Sequence, residues 1–378
     1  MADSGTIKIG IKKILQSEGT VALKAIKLLD YLLGSVLARI LSQKKDKPFP
    51  TQFHRILVIR PGGIGDAVFL LPVLKHLRKT FPSIIIDVLC EQRNSAVFSL
   101  EPNIVNNIFS WQSLKSFRTI FTNSYDVVID TEQWHYASAL VTYFMKNAYS
   151  IGFATRPLRK KLFNAAVEYG LNDYELNNFT KLFSSFLPEA SVLHNIHNAI
   201  EIDLDQFASL RSQIPQNAVT IFLGGSIRLR RFNKPEADKI VGEILRLDEK
   251  VVLIGGKKDI NIANFLELKY KNQGLINLVG KTTLKESAAI IKLSKKFIGH
   301  DSGMLHIAIA LQTPVIAIWG PGNQSKWLRL SYKDHLIYKR LPCSPCTQFG
   351  YTIPICHNKY LCTEDAHEHT ENYFKNII

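Results

Sequence analysis

Short continuous apolar runs alternate with helical patterns along most of the chain. Residues 55–60 read Arg-Ile-Leu-Val-Ile-Arg, the length and β-branched content of a buried strand. A Gly-rich turn follows, and then a helical pattern over 66–80. Further strands are predicted at 84–89, 126–130 and 149–153, with a helix over 134–146. Residues 154–215 are less regular. The alternation restarts with strands at 219–223, 251–255, 297–299 and 314–319, and with helices from 260 and over 302–311. A last helix, from about 364, is expected to pack back across the domain boundary. Alternating strands and helices imply a parallel sheet covered on both faces. The expected fold class is therefore α/β, with two Rossmann-like domains whose parallel sheets face a central cleft. The domains are expected at 51–215 and 216–340. Ligands in such sheets bind at the carboxyl ends of the strands, so the loops at 62–66 and 299–303 are expected to line the cleft.

The first 50 residues form a separate region. Residues 22–41 are its most apolar stretch, but Lys24, Lys27, Asp30 and Arg39 interrupt it, and no run is long enough to span a bilayer. On a helix those four charges fall in one half of the wheel, opposite Leu23, Ile26, Leu29, Leu33, Val36, Leu37 and Ile40. Nine Lys/Arg against four Asp/Glu give this region a charge of +5. It reads as a basic amphipathic helix lying on an anionic membrane surface. A helix packed on its own domain or on a partner subunit is the alternative. No secretory signal is visible, and the expected location is cytoplasmic, peripheral at the inner face of the cytoplasmic membrane.

Composition narrows the partners. The 378 residues are 46% hydrophobic and 21% charged, which excludes a wholly disordered chain. The formal charge of +15 suits anionic partners such as phosphorylated substrates or acidic lipid. No nucleic-acid recognition module appears, so nucleic acid is not an expected partner. Four of the five cysteines, Cys343, Cys346, Cys356 and Cys362, cluster in the segment 341–378. Their spacing admits a structural zinc or iron, free thiols, or a redox Cys-Ser-Pro-Cys pair.

Two loops carry candidate chemistry. The first is Arg60-Pro61-Gly62-Gly63-Ile64-Gly65-Asp66. Gly62, Gly63 and Gly65 let backbone approach a ligand and leave amides free at a helix start. The spacing matches neither the dinucleotide fingerprint nor a P-loop. Asp66 reads equally as an acid stabilised by the helix dipole and as a general base. The second loop is Gly299-His300-Asp301-Ser302-Gly303-Met304-Leu305-His306. Amides at Ser302 and Gly303, with the Ser302 hydroxyl, suit a diphosphate. Asp301 alternatively caps the helix, and His306 alternatively is a core histidine. Arg156, Arg159 and Lys160 follow a predicted strand and suit an anionic acceptor, or form a solvated loop. His135, beside Trp134 and Tyr136, is a candidate wall of the acceptor site. Asp203-Leu204-Asp205, the one D-x-D, reads as surface charge.

These segments resemble a known family. Residues 56–66, followed by Leu71-Pro72-Val73-Leu74-Lys75-His76-Leu77-Arg78 and Phe81-Pro82, resemble the N-terminal signature of glycosyltransferase family 9, the ADP-heptose:lipopolysaccharide heptosyltransferases. Leu278-Val279-Gly280-Lys281-Thr282-Thr283-Leu284, the segment 301–308 and Thr313-Pro314 through Gly320-Pro321 resemble its C-terminal signature. The resemblance implies a GT-B fold, with acceptor in the N-terminal domain and sugar nucleotide in the C-terminal one. It also implies that Asp66 is the catalytic base, and that Asp301, Ser302, Gly303 and His306 bind the donor. Arg230-Arg231-Phe232-Asn233 falls where the family has Lys-Arg/His-Trp-Pro, so Arg230 stands for the lysine that contacts donor phosphates. Asp259 falls near an acid that meets the donor ribose, and Thr282 near the base. The implied function is inverting, metal-independent transfer of a heptose, or a related sugar, from ADP-heptose to a lipopolysaccharide or other surface glycan. No cofactor is then required. A non-catalytic nucleotide-sugar-binding protein and a sugar-nucleotide epimerase of the same fold are the alternatives.

Overall fold

The computed structural model describes residues 21–44, 47–145, 147–187, 193–331, 333–339, 341–346, 356 and 362. They divide into two compact units, one reaching Asn195 and one beginning at Ile196. The helix expected from about 364 lies outside the described residues.

The first unit holds six parallel strands: β1 (Arg55–Arg60), β2 (Ile85–Cys90), β3 (Asn107–Ser110), β4 (Val127–Asp130), β5 (Tyr149–Phe153) and β6 (Ala165–Val167), in the order β3-β2-β1-β4-β5-β6. The central β1 pairs with β2 through Ile56↔Ile86 and with β4 through Ile56↔Val127. Ile56, Leu57, Val58 and Ile59 are fully buried, as a strand covered on both faces requires. The helix Ile64–Thr80 packs on this sheet. Its run from Ala67 to Leu74 is buried all round, because the helix Glu175–Leu182 covers its outer side.

The second unit repeats the plan with β7 (Val219–Phe222), β8 (Val251–Ile254), β9 (Leu275–Asn277), β10 (Lys296–His300), β11 (Val315–Trp319) and β12 (His335–Tyr338), in the order β12-β11-β10-β7-β8-β9. All its pairings are parallel. Residues 196–215, expected to close the first domain, belong here, with the helix Ala208–Gln213 beside the helix Leu284–Leu293. In each sheet the strand order reverses direction once, between β1 and β4 and between β7 and β10. Such a switch point leaves a crevice at the carboxyl ends of the two strands, where the flanking helices diverge.

The helix Val21–Ile40 packs on the first unit through Tyr31, Gly34 and Ala38, which meet Tyr136 and Ala139. No described helix is long and apolar enough to cross a membrane.

Candidate active site

At the switch point of the first sheet, β1 ends on Arg60, whose side chain is 2% exposed. Its guanidinium donates to the carbonyls of Pro61 and Thr131 and meets Glu132 at 3.2 Å. Gly62 sits at φ +128°, and a Cβ there would lie 2.8 Å from Arg60 Nη2. Backbone conformation and the buried guanidinium therefore both demand glycine. Gly63 caps the helix Ile64–Thr80 and brings no side chain of its own to the first turn. Asp66 lies in this turn, half-buried, with its Oδ2 over Gly63. The Asp66 carboxylate stands close enough to help raise the Arg60 pKa against the opposing effect of burial.

The loop after β4 forms the other side of the crevice. Glu132 accepts from the Trp134 amide, and burial disfavours its charge. His135 and Arg60 outweigh burial and keep its pKa below the usual carboxylate range. His135 Nδ1 lies 3.2 Å from Asp30 on the N-terminal helix. The same Asp30 carboxylate accepts from the Tyr136 and Ala137 amides, so it caps the helix Tyr136–Phe144 from another element. Arg156 lies within 4.8–5.7 Å of the ring centres of Tyr31, Trp134 and Tyr136. Lys160 is exposed.

Arg159 does not face solvent. Its side chain is fully buried, 2.5 Å from Asp130, and it donates to the carbonyls of Phe153 and His135. It holds the loop after β4 in place, and its fully buried guanidinium is not placed to touch a ligand. Burial pushes the Asp130 carboxyl up to about 6, with Arg159 pulling the other way.

The second switch point brings the donor-side candidates together. Arg230 Nη2 lies 3.1 Å from Asp301 Oδ2, and His306 Nε2 lies 3.9 Å from Asp301 Oδ1. The Ser302 hydroxyl accepts from the Leu305 amide and caps the helix Gly303–Ala310. Asp301 itself is not the cap. His306 is 3% exposed, with its ring 6.5 Å from that of Trp327. Phe232 packs edge-on against His300 at 4.5 Å, and Asn233 caps the helix Lys234–Arg246 in a capping box. Phe232 and Asn233, which stand for the family's Trp and Pro, thus have local structural work.

Two assigned donor residues are engaged within the unit. Asp259 is 4% exposed, accepts from the Gly256 amide and meets Arg231 at 2.6 Å. The Thr282 hydroxyl bonds that of Ser287.

Several residues here carry no motif of their own. Gly224 and Gly225 follow β7. A Cβ on Gly225 would fall 1.9 Å from the Arg230 carbonyl, and one on Gly224 would fall 2.7 Å from Asp259 Oδ2. Gly322 admits the Asp301 carboxylate in the same way, at 2.6 Å. Lys326 is buried in the short helix Gln324–Trp327. A glycine pair directly after a strand was the available signal for the first two. Nothing in the local sequence marks Lys326.

The four C-terminal cysteines carry no disulfide. Burial and the other three thiols raise the Cys362 pKa to about 11. Among the described residues, no group of three or more His, Cys, Asp or Glu side chains is placed to hold a metal ion. The structural zinc or iron expected at Cys343, Cys346, Cys356 and Cys362 is not supported.

Two doubly wound units, each with its candidate residues at a switch point, define the GT-B fold. The chain belongs to glycosyltransferase family 9 (heptosyltransferase), whose model matches residues 113–354. Asp66 lies ahead of that stretch. A curated relative, lipooligosaccharide heptosyltransferase 2 of Haemophilus ducreyi, is 23% identical over 297 residues, covering 72% of this chain and 84% of its own. The fold is similar to that of E. coli ADP-heptose lps heptosyltransferase II, with a TM-score of 0.65 and 20% identity, over 85% of this chain and 99% of the other. It is also similar to E. coli heptosyltransferase WaaC with ADP, with a TM-score of 0.63 and 16% identity, over 85% and 99%.

Proposed function

We propose that this enzyme moves a heptose, or a closely related sugar, from ADP-heptose onto an anionic lipopolysaccharide-type acceptor, with inversion and without a metal ion. The observation that carries the reading is the Arg230–Asp301 pair beside the start of the helix Gly303–Ala310. A guanidinium and free helix amides form an anion site suited to a departing diphosphate. A relative of the same fold is described with ADP.

In this reading Asp66 accepts the proton of the acceptor hydroxyl as that oxygen bonds the anomeric carbon. The bond from the anomeric carbon to the diphosphate breaks, and its electron pair leaves with ADP. Negative charge grows on the diphosphate, where Arg230 and the Ser302 and Gly303 amides meet it. His306 holds Asp301, and Asp301 in turn orients Arg230. Asp259 and Thr282 belong to the donor ribose and base, their internal bonds exchanging for ligand. Arg156, His135 and Lys160 meet the acceptor's anionic groups, with Arg159 behind them as support.

The same reading makes the protein peripheral at the cytoplasmic face of the membrane that carries the acceptor, docked through the N-terminal helix. The test is a binding panel of ADP, UDP, GDP and CDP, followed by transfer from ADP-heptose in EDTA. Selective ADP binding and EDTA-resistant transfer are expected. Binding without transfer to any lipid acceptor points to a non-catalytic protein. Conversion of donor with no acceptor present points to an epimerase.

A further inference from the structure

The helix Val21–Ile40 packs in the reverse of the usual sense. Three of its four charges are turned toward the first unit. Asp30 is 10% exposed and bonded to His135, and Lys24 and Lys27 are half-buried. Its apolar half points outward. Ile26, Leu29, Leu33, Val36, Leu37 and Ile40 are all exposed, from 45% at Leu37 to 76% at Ile40. At 100° per residue these six fall within about 100° of one another and run along most of a 30 Å rod. A face of this length left to water is unfavourable, and on a soluble protein it marks a binding surface.

Charge says what covers it. The rim at the carboxyl end of the helix is cationic. Arg39 is exposed, and Lys161 donates to the Arg39 and Leu41 carbonyls. Lys44 and Lys47 follow, donating to the Thr142 and Asn147 carbonyls, and Lys160 is exposed nearby. The only acid on the described helix is Asp30, which faces the domain. A second copy docked through the same face would set one cationic rim against another. An anionic lipid surface offers both an apolar layer and negative headgroups.

We infer that the outward face of Val21–Ile40 is a prefolded docking surface for an anionic bilayer, lying in the interface with Leu29 and Leu33 at its centre. The helix does not need to fold on binding, because Asp30, Tyr31, Gly34 and Ala38 already fix it to the domain. Asp30 also caps the helix that follows the loop after β4, so the outward-facing helix and that loop are tied by hydrogen bonds. The inference builds on the peripheral-membrane part of the reading above. Vesicle binding reads it without any transfer assay, so the two fail separately.

The experiment pellets the full chain with vesicles of phosphatidylcholine alone, and with about a third phosphatidylglycerol added, at about 150 mM salt. The wild type is compared with the double variant Leu29→Glu, Leu33→Glu. Wild-type pelleting with the anionic vesicles, weakened ~10-fold or more in the variant, is the expected result. The variant's thermal melt by circular dichroism should be unchanged, since neither side chain packs on the domain. Equal pelleting of the two proteins overturns the inference. So does a wild-type dimer, by light scattering, that the variant dissociates, which would give the face to a second copy. So does wild-type pelleting that appears only after residues 1–20 are deleted, which would give it to the chain's own N-terminal segment.

Discussion

Arg230 and Asp301 meet at 3.1 Å across the switch point of the second sheet, one from the loop after β7 and the other from the loop after β10. Neither loop brings these two charges together alone. The parallel pairing of β7 with β10 puts a guanidinium, a carboxylate and a helix start in one crevice. Replacing Arg230 by Ala should weaken ADP binding about 10-fold, or 1.4 kcal/mol, the scale of one charge-assisted contact. Arg230→Lys should recover part of it, because a point charge replaces a planar fork. Calorimetric titration distinguishes this from a purely structural pair, whose loss would lower the melting temperature and leave ADP affinity alone.

Asp66→Asn keeps shape and removes basicity. Turnover should fall by about 10²- to 10⁴-fold while ADP affinity stays the same. Full activity in this variant would remove Asp66 from the base role and leave it as an acid placed for the helix dipole.

The buried Arg159–Asp130 pair fixes the loop after β4. Arg159→Met leaves a buried carboxylate uncompensated, and urea unfolding should report a loss of about 3–5 kcal/mol. Adding Asp130→Asn should restore a good part of it. If Arg159 instead touched the acceptor, the single variant would keep its stability and raise only the acceptor KM.

The Asp30–His135 bond gives the N-terminal helix a pH-dependent attachment. Burial opposes charge on His135, yet Asp30 and Glu132 raise its pKa above the ordinary value. A raised folded pKa stabilises fully below the unfolded value near pH ~6.5, and the gain is lost as pH climbs through the folded value. Asp30 behaves oppositely. Burial works against its charge, but His135 and the Tyr136 and Ala137 amides hold its pKa low. Its contribution is lost only as pH falls from about 4 through that depressed value. The melting-temperature gap between wild type and Asp30→Asn should therefore be widest near pH ~5 to 6 and shrink on the alkaline side. A gap that is flat from pH ~5 to 9 would mean that His135 stays neutral in the fold.

The central strands were legible as apolar runs, and four others were not. β3, β6, β9 and β12 are the four edge strands, half-exposed and only three or four residues long. An edge strand is covered on fewer sides, so its sequence lacks the continuous apolar signature of β1 or β11. Arg159 shows the reverse failure. A basic cluster reads as surface, and nothing local reveals that one of its members finds a buried partner 29 residues back at Asp130.

The repeating strand–helix plan, the two glycine-bearing loops and the family are legible along the chain, because apolar periodicity, turn chemistry and motif order are local properties. Which charges pair follows from the fold alone. Arg60 faces Glu132, Arg230 faces Asp301, and Asp30 reaches His135. The fold also turns three of the N-terminal helix's four charges inward and its apolar half out. Both outcomes depend on partners 71 to 106 residues away in the chain, brought into reach by parallel crossovers and helix docking that no window of sequence contains.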